Sequence, residues 1–144
     1  MDRVELAVSL FQQGFSCSQA LLAAYGDRFG LEREVALRIA AGFGGGMGRM
    51  AGTCGAVTGA FMLIGLKHGG TTSEDRQAKQ RTHEAVREFA KRFISRHDSL
   101  ICRELLGCDI STPEGSQLAK EKKLAATVCP GLVKDAAQIV EEML

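Results

Sequence analysis

Between Arg49 and Lys67 the chain carries no charged side chain, and the strongly apolar Phe61-Met62-Leu63-Ile64 lies inside that stretch. A membrane span needs about 20 predominantly apolar residues. The stretch barely reaches that length and is diluted by Gly52, Gly55, Gly59, Thr53 and Thr58. It therefore predicts a fully buried core helix, starting near Thr53 or Cys54 and ended by Gly69-Gly70, rather than a membrane span.

The segments around it repeat with helical period. Val4, Ala7, Val8 and Phe11 share one face of a first helix that Gly14 stops. Ser16-Cys17-Ser18-Gln19 reads as a capping box opening a second helix. A third runs from about Glu32 to Ala41. Thr71 and Glu74 read as another capping box, opening a long charged helix that reaches about His97. Asp98 or Ser99 caps a short helix holding Ile101, Cys102 and Leu105. Thr112-Pro113-Glu114 places Pro at a first helical position, and Cys129-Pro130 opens a last helix with Leu132, Val133, Ala136, Ile139, Val140 and Met143 inward. No segment alternates long enough to be a strand, and no linker divides the chain. The expectation is an all-α fold, a single-domain helical bundle over residues 1–144 built on the buried, Gly-rich apolar helix.

Charge narrows the function classes. Lys+Arg number 18 against 17 Asp+Glu, for a net charge of +1. No strong field draws such a chain to nucleic acid or anionic lipid. Trp is absent and Tyr single, so stacking on single-stranded bases is poorly served. The five cysteines are odd in number and the N-terminus lacks a signal-peptide pattern, which points to a reducing, cytoplasmic setting. His68, His83 and His97 are far apart, and no C-x-x-C, H-E-x-x-H or G-x-S-x-G occurs. His83 and His97 fall on the charged helix and read as solvated.

Four cysteines occupy one kind of place. Cys17 follows the N-cap Ser16, Cys54 lies at the start of the apolar helix, Cys102 falls in a first turn, and Cys129 sits at an N-cap before Pro130. Helix starts offer free N–H groups and partial positive charge, which favour the thiolate that ligates metal or attacks a disulfide. Cys108, after Leu105-Leu106-Gly107, sits at a helix end where the dipole opposes ionisation. Buried cysteine is also an ordinary small hydrophobe, so simple packing is the competing reading of each. Ahead of Cys54, the run Gly42-Phe43-Gly44-Gly45-Gly46-Met47-Gly48-Arg49 could bring backbone N–H groups close to an anionic centre. Gly44, Gly45, Gly46, Arg49 and Gly55 are the cofactor-binding candidates. Arg49 could neutralise charge near Cys54 or be a solvated loop residue. Gly55 and Gly59 form a bare stripe for close helix contact.

Cys54-Gly55-Ala56-Val57-Thr58-Gly59 resembles the CGAxxG motif of the small proteins named for their cysteine pattern, C_GCAxxG_C_C. The likeness extends to Gly14-Phe15-Ser16-Cys17-Ser18-Gln19, to Gly65-Leu66-Lys67-His68-Gly69, to Ile101-Cys102-Arg103-Glu104-Leu105-Leu106-Gly107 and to Cys129-Pro130. The family's four cysteines fall on Cys17, Cys54, Cys102 and Cys129, leaving Cys108 outside. The resemblance implies a redox or metal-related role and names no reaction. Four thiolates suit an iron–sulfur cluster, or zinc as the main variant. A metal-free thiol–disulfide protein and a non-enzymatic helical interaction module with packed cysteines are the other readings. A redox partner protein and a homo-oligomer complete the expectations, with neither identified by the residues.

Overall fold

The segment that resists exposure becomes the axis of the molecule. The computed structural model describes residues 1–144. Its α-helices are α1 (Arg3–Gln12), α2 (Cys17–Tyr25), α3 (Arg33–Ala40), α4 (Gly55–His68), α5 (Arg76–His97), α6 (Cys102–Leu106), α7 (Pro113–Glu121), α8 (Leu124–Thr127) and α9 (Cys129–Met143). No strand forms; a single antiparallel bridge joins Thr53 and Ile101. The fold is all-α, as the periodicities imply. No helix is long and apolar enough to cross a membrane.

Helix α4 is the apolar segment, and α2, α5 and α9 pack around it. Val57, Leu63 and Ile64 of α4 meet Leu21 and Tyr25 of α2, Phe89 and Phe93 of α5, and Val133 and Ile139 of α9 in one core. Each such side chain, fully buried, contributes about 1.5–3 kcal/mol of transfer free energy. The closest approach is between α2 and α4. A Cβ at Gly59 would lie 2.8 Å from Leu21 Cβ and 3.0 Å from the Ser18 carbonyl oxygen. The Gly55/Gly59 stripe therefore seats α4 directly on the backbone of α2. Ser18, fully buried there, donates from Oγ to the Ala40 carbonyl at 2.8 Å and so ties α2 to the end of α3.

Several boundaries differ from the sequence reading. Helix α5 starts at Arg76, where Asp75, not Thr71, is the cap: its carboxylate accepts the Ala78 N–H at 3.0 Å. Helix begins where burial begins, since Ala78 is the first buried residue of α5. Asp98 ends α5 in a left-handed conformation rather than opening α6, and Ser99 Oγ accepts the Ile101 N–H at 2.9 Å. Cys129 is the first residue of α9, one place past the cap Val128. In α3, Ala36 and Ala40 are buried, whereas Val35 and Ile39 stay exposed. His97 is not solvated: its ring lies 4.7 Å from that of Phe93, and Nε2 stands 2.7 Å from Asp135 of α9.

Candidate functional site

Each of the four cysteines is delivered by a helix start. Cys17 opens α2 because Ser16 and Gln19 close their box: the Ser16 N–H donates to Gln19 Oε1 at 2.9 Å, and the Gln19 N–H to Ser16 Oγ at 3.4 Å. Cys54 is the N-cap of α4 and makes no side-chain cap hydrogen bond. Its backbone N–H donates instead to the Leu100 carbonyl at 2.8 Å, while the Cys102 N–H donates to the Gly52 carbonyl at 2.6 Å. These bonds flank the Thr53–Ile101 bridge and set α6 beside the start of α4. Cys129 opens α9, and Pro130 follows where a missing N–H costs no helical bond.

The glycine run makes this convergence possible. Gly45, Gly46, Met47, Gly48 and Arg49 have φ of 66°, 71°, 67°, 58° and 61°, five left-handed residues in succession. Backbone bonds lace the loop, including Ala51 N–H to Gly45 carbonyl at 3.1 Å and Gly52 N–H to Gly46 carbonyl at 2.8 Å. A Cβ at Gly44 would meet Ser16 Cβ at 2.5 Å. One at Gly55 would meet Ser18 N at 2.9 Å and Cys17 Cβ at 3.2 Å. Bare backbone at these positions lets the loop and α4 close on the first turn of α2, bringing Cys54 to Cys17.

The four cysteines converge on one cavity of about 960 Å³. Cys17, Cys54, Cys102 and Cys129 all line it, as do Gly44, Gly45, Gly46, Arg49 and Gly55. Cys108 does not; it packs against a small satellite cluster of Ala51, Cys102 and Ile110. Sequence reasoning missed the wall contributed by α7 and α8, including Lys120 and Lys123. Its one local signal is weak, because Lys123 adopts a left-handed φ of 53° that nothing in its chemistry announces.

All five cysteines are free thiols. The neighbouring Cys129 and Cys54 thiols, together with burial, hold the Cys17 pKa well above that of an ordinary thiol. The same neighbours shift in the opposite direction. Cys17's thiol pulls Cys54 below the ordinary value against its burial, helped by the Ala56 and Val57 N–H groups. Cys129 is likewise lowered by Cys17. The expectation that every helix-start cysteine favours thiolate is therefore not met at Cys17, where the neighbouring Cys129 and Cys54 and burial favour the thiol. It fails at Cys102 too. Burial, reinforced by the neighbouring Cys54 and Cys129, pushes that thiol up to about 12. Helix α6 has only five residues, too few for a strong terminal field. Arg49 opposes the rise at Cys102 and donates to Ser116 Oγ at 3.2 Å.

A metal centre would need these sulfurs arranged around a shared point. No group of three or more Cys, His, Asp or Glu side chains is arranged to hold a metal ion. Residues 15–143 match a family described as "Putative redox-active protein (C_GCAxxG_C_C)". No curated protein and no solved structure matches the chain.

Proposed function

This chain belongs to the C_GCAxxG_C_C family, and from that premise we propose that it is a thiol–disulfide redox protein. In this reading Cys129 is the attacking sulfur and Cys17 the resolving one. The convergence of Cys17, Cys54 and Cys129 on one cavity, with Cys17 raised and its two neighbours lowered, carries the reading. Cys129 is half-buried, whereas Cys54 is only 4% exposed. The more accessible of the two lowered thiols is thus the one that meets an oxidised partner, here a disulfide RSSR. Cys129 thiolate attacks one sulfur of RSSR, the S–S bond breaks, and RS⁻ leaves. Cys17 gives its proton to that leaving thiolate. Its own thiolate then attacks Cys129 Sγ, closing a Cys17–Cys129 disulfide and expelling a second RS⁻, which takes a proton from water. Two protein thiols are oxidised and RSSR becomes two RSH; the relative potentials set the direction. Cys54 is the deeper alternative partner for Cys17.

The test is oxidation by a small disulfide followed by mass mapping. Wild type should yield a Cys17–Cys129 disulfide, and Cys17→Ser should stall with the mixed disulfide on Cys129. A protein whose Cys129 never forms a mixed disulfide overturns the reading. A second reading, metal ligation, is favoured by four free thiols on a single cavity. It requires the side chains to turn toward a common centre. Anaerobic ultraviolet–visible spectra with metal analysis of freshly purified protein distinguish the two: thiolate charge-transfer bands with stoichiometric iron select a cluster, and stoichiometric zinc selects a mononuclear site.

A further inference from the structure

The cavity is far larger than a pair of thiols needs. About 960 Å³ lies near the upper end of the ~300–1,000 Å³ usual for small-molecule sites. More than half of its lining residues are hydrophobic, Phe11 and Phe15 among them. The charged lining is one-sided. Arg49, Lys120 and Lys123 border the cavity and no Asp or Glu does, although acids and bases nearly balance over the chain.

The backbone has the same bias. The carbonyls of Gly44, Gly45 and Gly46 accept from the Arg49, Ala51 and Gly52 N–H groups, at 3.1, 3.1 and 2.8 Å. The N–H groups of these three glycines have no acceptor within the protein. Successive unpaired N–H groups in a turn form an electropositive nest. The starts of α2, α4 and α9 bring further partial positive charge to the same cavity, through Cys17, Cys54 and Cys129.

We propose that the cavity binds a small organic anion with an apolar body, its acidic group held by Arg49, Lys120, Lys123 and the Gly44–Gly46 backbone. The apolar wall takes the body of the molecule, and the cationic rim takes a carboxylate, sulfonate or phosphate. Where the thiol reading above holds, this is the substrate class: an anionic organic disulfide delivered to Cys129. Binding itself does not depend on that reading.

A matched fluorescent pair tests it. 8-Anilinonaphthalene-1-sulfonate carries the acid and N-phenyl-1-naphthylamine lacks it, and thiols reduce neither. With reduced full-length protein at low salt, the sulfonate should bind about tenfold or more tighter than the neutral ring. Lys120→Gln with Lys123→Gln, and separately Arg49→Gln, should remove most of that preference. Lys134→Gln, an exposed lysine outside the cavity, should not. Denaturant midpoints of each variant show whether the fold is kept. Equal binding of the two probes, or equal loss in Lys134→Gln, overturns the proposal. Rates of Cys129 with anionic 5,5′-dithiobis(2-nitrobenzoate) and neutral 4,4′-dithiodipyridine report on the chemistry separately. If Cys129 reacts with neither while the sulfonate preference persists, the thiol reading falls and the anion site stands.

Discussion

The backbone N–H of Cys102 donates to the carbonyl of Gly52 at 2.6 Å. That bond joins segments 50 residues apart in a protein without a strand. With the Cys54 N–H to Leu100 bond and the Thr53–Ile101 bridge, it forms a two-residue clasp beneath the cavity. The clasp is backbone only, so it fixes Cys102 next to Cys54 without using either sulfur. Both thiols remain available for chemistry.

Thiol reactivity follows the proton on Cys17. Thiolate is the alkylated form, and a lowered pKa makes it prevail at lower pH. Site-resolved alkylation with iodoacetamide as pH rises should therefore climb first at Cys129, and only at much higher pH at Cys17 and Cys102. Cys17→Ala removes the donor, and the Cys129 curve should move to higher pH. An unmoved curve shows that Cys17 does not set the ionisation of Cys129.

Close contact between α2 and α4 depends on Gly59. Gly59→Leu drives a side chain into Leu21 and the Ser18 carbonyl, and should cost about 1–3 kcal/mol or more as overpacking. A denaturant midpoint equal to wild type would show that the two helices do not approach as described.

Ser18→Ala removes the only side chain that satisfies the Ala40 carbonyl. Stranding a buried acceptor costs about 1–3 kcal/mol. Urea melts should show that loss, whereas Ser95→Ala, at an exposed position of α5, should change stability little.

Lys123 holds a left-handed φ of 53° while lining the cavity. A non-glycine residue there costs roughly 1–2 kcal/mol. Lys123→Gly should therefore raise the unfolding free energy while weakening capture of the anionic naphthalene probe. A variant that is neither more stable nor weaker in binding would show that strain and function are not linked at this residue.

The legible part of the fold was written in local chemistry. Ser16 and Gln19 found the start of α2 because a capping box is complete within four residues, and Thr112-Pro113 found α7 because a capping hydroxyl is followed directly by Pro at the first helical position. Thr71 and Glu74 carry the same pattern and misled, since the cap that forms, Asp75, is chosen by the burial of Ala78 against Gly70. Helix starts drew attention to the four site cysteines. Their ionisation was not legible, because a dipole argument treats each thiol alone, and Cys17 departs from it through the neighbouring Cys129 and Cys54 and through burial. The clasp at Thr53 and Ile101 is too short to leave a period in the sequence. Nothing in the sequence marks Lys120 and Lys123, which border the cavity only once α7 and α8 fold over it.

Because the cavity draws its walls from both ends of the chain, its assembly is ordered in time during translation. Chains emerge from the ribosome N-terminus first, at about 5–20 residues per second. Cys17 and Cys54 leave the exit tunnel well before Cys129, and until α9 docks the nascent chain also lacks the part of its core supplied by Leu132, Val133, Ala136 and Ile139. In that interval Cys17 has Cys54 as its only neighbour from the final trio. Reductant present during synthesis thus protects the Cys17–Cys129 pairing: a Cys17–Cys54 bond formed early would leave Cys129 docked without the thiol that prepares it. Pulse-labelled nascent chains released short of Cys129 and quenched with a thiol-blocking reagent would reveal how often that premature bond forms.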